Sequence, residues 1–301
     1  MNQLSFADRL VLGARKLGPL CVGIDPHPAM MPAIFGAPSA KAASLWGRAV
    51  VQQCAGKVAI VKPQAGLFER WGWKGLQAME EVCAAARDAG LIVLVDAKRG
   101  DIGTTVEGYA EGYLGAEANF PCDALTVNPY MGVETLENFV ALAEKHNRGV
   151  VVLCRTSNPG SKDYQAQLIA DPEGKSEPLY IHVARSLAPM IARLRGPQTN
   201  WSGLMLVTGA TGPDDAKRIR EAAGGALFLV PGYGAQGAGA REALASFVKG
   251  PNGLEGGVIN ASRSVTLPEA AKSAASAADW DKAISAAIEA AQAELVAASK
   301  A

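Results

Sequence analysis

The sequence contains few residues of the kinds that build metal sites and disulfide frameworks. Its 301 residues include three histidines and five cysteines, and the cysteines show no CxxC pair and an odd total. These are Cys21, Cys54, Cys83, Cys122 and Cys154. The pattern fits neither a tight zinc site nor a disulfide framework. We therefore predict no metal ligands, and free thiols that suit a reducing cytoplasm.

Long apolar runs and an excess of charge of either sign are also absent. No stretch reaches the roughly 18 apolar residues of a membrane-spanning helix, and Asp8 and Arg9 interrupt the apolar pattern of the N-terminus, unlike a signal peptide. The 29 basic and 29 acidic side chains give a net charge of zero. We therefore predict no membrane and no nucleic-acid partner. The sequence also contains no GxSxG motif, P-loop or dinucleotide fingerprint.

The sequence does contain a regular alternation of short apolar runs and helical patterns. The apolar runs lie at 19–26, 58–64, 91–95, 124–130, 149–160, 203–210, 226–237 and 256–264. Strands that alternate with helices indicate a parallel sheet, and eight such units in roughly 250 residues are typical of a (β/α)₈ barrel. We predict one α/β domain over 1–301, a TIM barrel with extra N- and C-terminal helices. Its core would cover about 19–265 and its helical tail 268–300, and an open doubly wound sheet is the less favoured alternative.

The third apolar run continues into a dense group of charges, LIVLVDAKRGDIGTT at 91–105. Asp96 and Lys98 lie two residues apart, so on a strand their side chains point the same way, and Asp101 follows three residues later. Two carboxylates near one ammonium favour its charged form. That suits a lysine that delivers a proton rather than one that forms a Schiff base. A structural ion-pair network at a strand end is an equally open interpretation of this spacing.

Polar residues end the other predicted strands as well, and in barrels of this kind the active site lies at those ends. They are Asp25, Lys62, Asn128, Ser157, Thr208, Gln236 and Arg263. One such residue is usually a cap, but two acids and two lysines in the first three strands indicate a compensated charge network in one pocket. The glycine-rich segment PGYGAQG, which begins at Pro231, and the arginine after the eighth run predict a phosphate site.

Several motifs resemble those of the orotidine 5′-phosphate decarboxylase family and follow one another along the chain in that family's order. They are VDAKRGDIGTT, CVGIDP, VKPQ, SNPG, PGYGAQG and the arginine of NASRS, and they extend from about Cys21 to Ser264. The KRGD form and the length resemble the longer bacterial subclass, type 2. The Asp-x-Lys-x-x-Asp core alone is shared with phosphosugar lyases of the same superfamily.

The resemblance implies decarboxylation of orotidine 5′-monophosphate to UMP and CO₂, the last step of de novo UMP biosynthesis, without a cofactor or metal. It implies that Lys98 protonates C6 of the pyrimidine, within an alternating array completed by Asp96, Lys62 and Asp101. It also implies a homodimer with shared active sites. It implies that Asp25 and Lys62 contact the ribose and that Ser157 contacts the pyrimidine. Gln236 and Arg263 would contact the phosphate, and Pro231, in the same segment as Gln236, would also contact the substrate. Ile102 and Thr105, together with Asp101, would reach the neighbouring subunit's site.

Two other functions remain open at this point. A Mg²⁺-dependent phosphosugar decarboxylase or synthase of the same superfamily, such as a keto-gulonate phosphate decarboxylase, would use the metal to hold an enediolate, although the SNPG segment argues against it. A catalytically idle barrel that binds a phosphate ligand would keep Gln236 and Arg263. It would have no need of an intact array of Asp96, Lys98 and Asp101.

Overall fold

A closed barrel of eight parallel strands forms the centre of the computed structural model, which describes residues 4–118, 120, 122–170, 173–234 and 237–301. Each strand pairs with its neighbours in sequence order, and the last pairs with the first. We label the barrel strands β1 (Leu20–Ile24), β2 (Ile60–Pro63), β3 (Ile92–Arg99), β4 (Ala124–Val127), β5 (Gly149–Arg155), β6 (Ser202–Thr208), β7 (Ala226–Val230) and β8 (Gly257–Ala261). The predicted TIM barrel is confirmed, because the ring is closed rather than open.

Helices surround the barrel and connect its strands. They are α1 (Phe6–Leu17), α2 (Ala40–Cys54), α3 (Ala65–Glu69), α4 (Trp73–Asp88), α5 (Gly103–Leu114), α6 (Glu137–His146), α7 (Leu179–Ser186), α8 (Ala188–Arg193), α9 (Pro213–Ala222), α10 (Ala240–Ala243), α11 (Arg263–Thr266), α12 (Glu269–Lys272) and α13 (Ala277–Lys300). The hydroxyl of Ser5 caps α1 by accepting a hydrogen bond from Asp8 N (3.1 Å). None of the described helices is both long and apolar enough to cross a membrane.

Two apolar layers hold the barrel together. One layer fills the barrel interior, where Phe6 and Leu10 of α1 pack against inward-facing strand residues and close the N-terminal end. The other layer lies between the strands and the surrounding helices. Strands covered on both faces read as continuous apolar runs, which is why the sequence pattern predicted them. Gly149 is required at the contact with α1, because a Cβ there would collide with the Phe6 ring.

The connection between β5 and α7 contains a short antiparallel pair formed by Leu168–Ala170 and Ser176–Pro178. Pairing of this kind satisfies backbone N–H and C=O groups outside the barrel. Two helices, α7 and α8, follow the pair, and Pro189 lies in the first turn of α8, where its missing N–H is tolerated.

The C-terminal tail packs along the outside of the barrel. Its long helix, α13, contacts α2 and β1, and its buried face includes Trp280, Ile284, Ile288 and Leu295. The side chain of Gln292 accepts a hydrogen bond from the backbone N–H of Leu20 in β1 (3.3 Å). This helix therefore lies against the first strand.

Candidate active site

A cavity of about 550 Å³ opens at the C-terminal ends of the barrel strands. It brings together seven of the residues predicted from the sequence: Asp25, Lys62, Asp96, Lys98, Ser157, Pro231 and Arg263. These residues come from six different strand ends and are separated by up to 238 positions in the chain (263 − 25). Closure of the barrel is what places them around one cavity.

Asp96 is the centre of the polar network in this cavity. Its Oδ1 accepts hydrogen bonds from Lys98 Nζ (2.6 Å) and Thr126 Oγ1 (2.9 Å). Its Oδ2 accepts from Lys62 Nζ and Gln64 Nε2, each at 3.0 Å. The carboxylate is thus held by two ammonium groups and two neutral donors, and its position is set by four neighbours.

The ionisation of this network follows from the balance of burial and charge. Burial opposes the charged form of Asp96, but the ammonium groups of Lys62 and Lys98 outweigh it and lower the pKa of the carboxyl well below its ordinary value. Burial likewise opposes the charge of Lys62, but the carboxylates of Asp96 and Asp25 raise the pKa of this lysine above its ordinary value. Asp96 and Lys62 therefore stay charged at neutral pH.

The backbone around Lys98 adopts an unusual conformation. Strand β3 runs through Asp96 and Lys98 to Arg99, and its register with β4 shifts between Val95 and Arg99. Lys98 has a φ of 48°, in the left-handed region that residues other than glycine seldom adopt. Thr126 of β4 accepts a hydrogen bond from Lys98 N (2.8 Å) through the same hydroxyl that donates to Asp96. The threonine therefore links the lysine backbone to the carboxylate that pairs with its side chain.

Two buried acceptors in the cavity have no hydrogen-bond partner among the described residues. They are Oδ1 of Asp25, which follows β1, and Oδ1 of Asn260, on β8. Buried acceptors without a partner are rare in native proteins, and here both residues line the cavity. The two atoms are suited to accept hydrogen bonds from hydroxyl groups of a ligand.

The glycine-rich segment after β7 lines another side of the cavity through Pro231, Gly232 and Tyr233. Gly232 has a φ of 108°, which favours glycine and brings the backbone close to the cavity. Arg263 is exposed and begins α11 directly after β8. These positions agree with an anion site at the ends of the last two strands. The predicted ligand Gln236 lies outside the described residues.

Three predicted residues are not among those that line this cavity: Asp101, Ile102 and Thr105. The Asp101 carboxylate accepts a hydrogen bond from the backbone N–H of Ile102 (2.8 Å), just before α5. The side chain of Ile102 is apolar, yet the residue is 60% exposed. Among the described residues of one chain, the carboxylate that pairs with Lys98 is that of Asp96.

Sequence reasoning missed several residues that the structure brings to the cavity. Gln64 and Thr126 bind Asp96 directly, whereas Tyr233 and Asn260 line other sides. A signal for Thr126 exists in the sequence, because it is a polar residue inside the apolar run ALTV. Its role nevertheless depends on which strand lies beside β3, and that is a property of the fold.

A second cavity, of about 350 Å³, lies beside α1, near the opposite end of the barrel. Its carboxylate, Glu255, is engaged by Arg15 (2.7 Å) and by the indole N–H of Trp201 (3.0 Å). The Glu255 carboxylate is therefore already paired within the protein. Among the described residues, no group of three or more His, Cys, Asp or Glu side chains is arranged to hold a metal ion.

The fold and the site together define an enzyme of the TIM-barrel class, with a lysine–carboxylate network beside a cavity of about 550 Å³ at the C-terminal ends of the strands. A family model described as orotidine 5′-phosphate decarboxylase / HUMPS matches residues 18–278. The chain belongs to this family.

Similar proteins of known name support that assignment over nearly the whole chain. The orotidine 5′-phosphate decarboxylase of Corynebacterium glutamicum is 39% identical over 235 residues, 78% of this chain and 81% of its own length. That of Rhodopirellula baltica is 35% identical and covers 94% and 96% of the two chains. The solved structure of Leishmania donovani OMP decarboxylase is 32% identical, covers 98% of both chains and superposes with a TM-score of 0.75.

Proposed function

We propose that this protein decarboxylates orotidine 5′-monophosphate to UMP and CO₂, with Lys98 as the proton donor to C6. The observation that carries the proposal is the position of Asp96 between the ammonium groups of Lys98 (2.6 Å) and Lys62 (3.0 Å) at the cavity. Relatives that bear the name of this enzyme support the same reaction. An idle ligand-binding barrel would have no use for a charge network of this precision.

The network supplies what a decarboxylation without an electron sink needs. When the bond between C6 and the carboxylate breaks, the electron pair stays on C6 and CO₂ leaves. The ammonium of Lys98 stabilises the developing carbanion and then transfers a proton to it, which leaves a neutral amine that solvent reprotonates. Asp96 would lie, in its ionised form, beside the carboxylate of the substrate that leaves as CO₂. The repulsion between these two negative groups raises the free energy of the bound substrate more than that of the transition state, in which the substrate carboxylate is losing its charge.

The remaining sides of the cavity would hold the rest of the substrate. The unpartnered Oδ1 of Asp25 would accept a hydrogen bond from a ribose hydroxyl, next to Lys62, whose charge Asp25 helps to stabilise. Ser157 would contact the pyrimidine. Arg263, Gln236 and the backbone from Pro231 onward would hold the phosphate, far enough from C6 for its binding energy to position the reacting end.

We further propose a homodimer in which Asp101, Ile102 and Thr105 complete the neighbouring subunit's site. The apolar side chain of Ile102 is 60% exposed in the single chain and would be covered in such an assembly. Mixing two inactive variants, Lys98→Ala and Asp101→Ala, tests this directly. Shared sites would restore part of the activity, because one site of a mixed dimer has both residues intact, and no restoration would contradict sharing.

A single-domain organisation over 1–301 and a cytoplasmic location complete the proposal. Packing of α13 against α2 and β1 supports the first, because the tail is part of the same apolar core as the barrel. The second is supported by the five cysteines, which are all buried free thiols and suit a reducing compartment.

The test is to add orotidine 5′-monophosphate to the purified protein in EDTA and follow the loss of orotate absorbance. We expect rapid loss with the wild type and none with Lys98→Ala, which should still fold and bind UMP. Lys282→Ala, an exposed lysine on α13, is the matched control and should keep full activity. Inactivity of the wild type in EDTA, together with Mg²⁺-dependent turnover of a sugar phosphate, would identify the phosphosugar alternative instead.

A further inference from the structure

The glycine-rich segment after β7 is bound to the C-terminal helix by a side-chain hydrogen bond. The hydroxyl of Tyr233 donates to Glu294 Oε2 on α13 (2.7 Å). Tyr233 is 7% exposed and lines the cavity, whereas Glu294 lies 61 positions later on the outer surface of the barrel. This tyrosine therefore connects the interior of the candidate site with the tail of the chain.

Two backbone hydrogen bonds join the residues on either side of Tyr233 to Ala238. Gly234 N donates to Ala238 O (3.0 Å), and Ala238 N donates to Gly232 O (3.4 Å). These two bonds lie within the segment and do not attach it to the rest of the protein. The bond to Glu294 does attach it, at the one residue between Gly232 and Gly234.

The same helix also supports the other half of the predicted phosphate site. Helix α13 packs against α10, which follows the glycine-rich segment, and against α11, whose first residue is Arg263. The two segments that would hold the phosphate are thus both followed by helices that contact α13. A helix that contacts both can set the distance between them.

We propose that Glu294 is a positioning residue for the phosphate end of the substrate, acting through Tyr233. The inference rests on the proposed function, since it assigns the glycine-rich segment to the phosphate. Loss of the hydrogen bond should weaken the interactions made by the phosphate and leave those at the pyrimidine unchanged. A bond of this kind corresponds to about a three- to tenfold change in affinity.

The experiment compares a substrate with a phosphate and one without it. For Glu294→Ala and Tyr233→Phe, we expect KM for orotidine 5′-monophosphate and the Kd of UMP to rise about three- to tenfold. Turnover of the nucleoside orotidine, which lacks the phosphate, should not change. Glu294→Gln should resemble the wild type, because its amide oxygen still accepts the tyrosine hydroxyl, and the double variant should be no worse than either single one.

Glu289→Ala is the matched control, because Glu289 lies on the same helix and is also hydrogen-bonded, but to Ser285 (3.0 Å) and Lys57 rather than to the glycine-rich segment. It should leave both substrates unaffected. An unchanged KM in Glu294→Ala would overturn the inference while the proposed function stands. Equal losses on both substrates would also overturn it, since they indicate a general structural role. A wild type inactive on orotidine 5′-monophosphate would instead overturn the proposed function.

Discussion

Replacing Thr126 by valine should slow the reaction while leaving the barrel folded. The threonine is 1% exposed, and its hydroxyl both donates to Asp96 (2.9 Å) and accepts from Lys98 N (2.8 Å). Valine has nearly the same shape and removes both bonds. Asp96 keeps its other three donors, so the main loss is the constraint on the backbone of Lys98.

The size of the effect follows from that constraint. An unpaired, half-buried N–H should lower the free energy of unfolding by about 1–2 kcal/mol. Without its partner, Lys98 can leave the left-handed conformation at φ 48°, which itself costs about 1–2 kcal/mol to hold. A displacement of the ammonium by about 1 Å reduces rate by about 100-fold. We therefore expect kcat to fall roughly 10- to 100-fold while KM changes less than about threefold.

The assay is steady-state decarboxylation in parallel with urea unfolding of each variant. Thr126→Ser keeps the hydroxyl and should retain most of the activity. Thr208→Val is the matched control, because the Thr208 hydroxyl is equally buried but has no partner among the described residues. It should leave kcat unchanged and stability unchanged or slightly higher. A wild-type kcat in Thr126→Val would refute the argument, as would an equal loss in Thr208→Val.

Two further predictions concern stability. Arg220→Met should lower the free energy of unfolding by about 3 kcal/mol, as measured by urea titration. The reason is that the buried guanidinium donates to four backbone carbonyls and lies over the Phe228 ring. An unchanged urea midpoint would show that those carbonyls find other partners. Although burial opposes the charge of Asp96, Lys62 and Lys98 outweigh it and lower the pKa below the ordinary 3.8. The ionised carboxylate thus contributes stability that is present above pH 3.8 and lost as the pH falls further. In Asp96→Asn the urea midpoint should therefore depend less on pH in the acid range than in the wild type. An unchanged pH dependence would contradict this assignment.

The barrel itself could be predicted from local pattern. Its strands are covered on both faces, so burial imposes continuous apolar runs, and the helices between them show their own period. Strand β3 shows the limit of this signal. The spacing of Asp96 and Lys98 predicted that both side chains lie on one side of the strand end, and the strand does continue past them to Arg99. The register shift against β4 and the left-handed backbone of Lys98 could not be predicted, because the residues of β3 alone do not specify its pairing with β4.

The charged residues of the candidate site could also be predicted, since Lys62, Asp96 and Lys98 lie at strand ends and barrels gather those ends at one face. Thr126 and Gln64 could not, because a hydroxyl or an amide next to a strand end has many possible partners. Only the neighbouring strands decide that both bind Asp96.

Residue type and short-range spacing are enough to predict the parallel barrel, the face on which polar residues gather and the lysine flanked by acids. The left-handed backbone of Lys98 and the contact of Tyr233 with Glu294 arise only when the chain has folded. The first depends on a hydroxyl 28 positions away and the second on a helix 61 positions away. Contacts between residues so far apart in the sequence depend on how the whole chain packs, so short-range sequence patterns do not predict them.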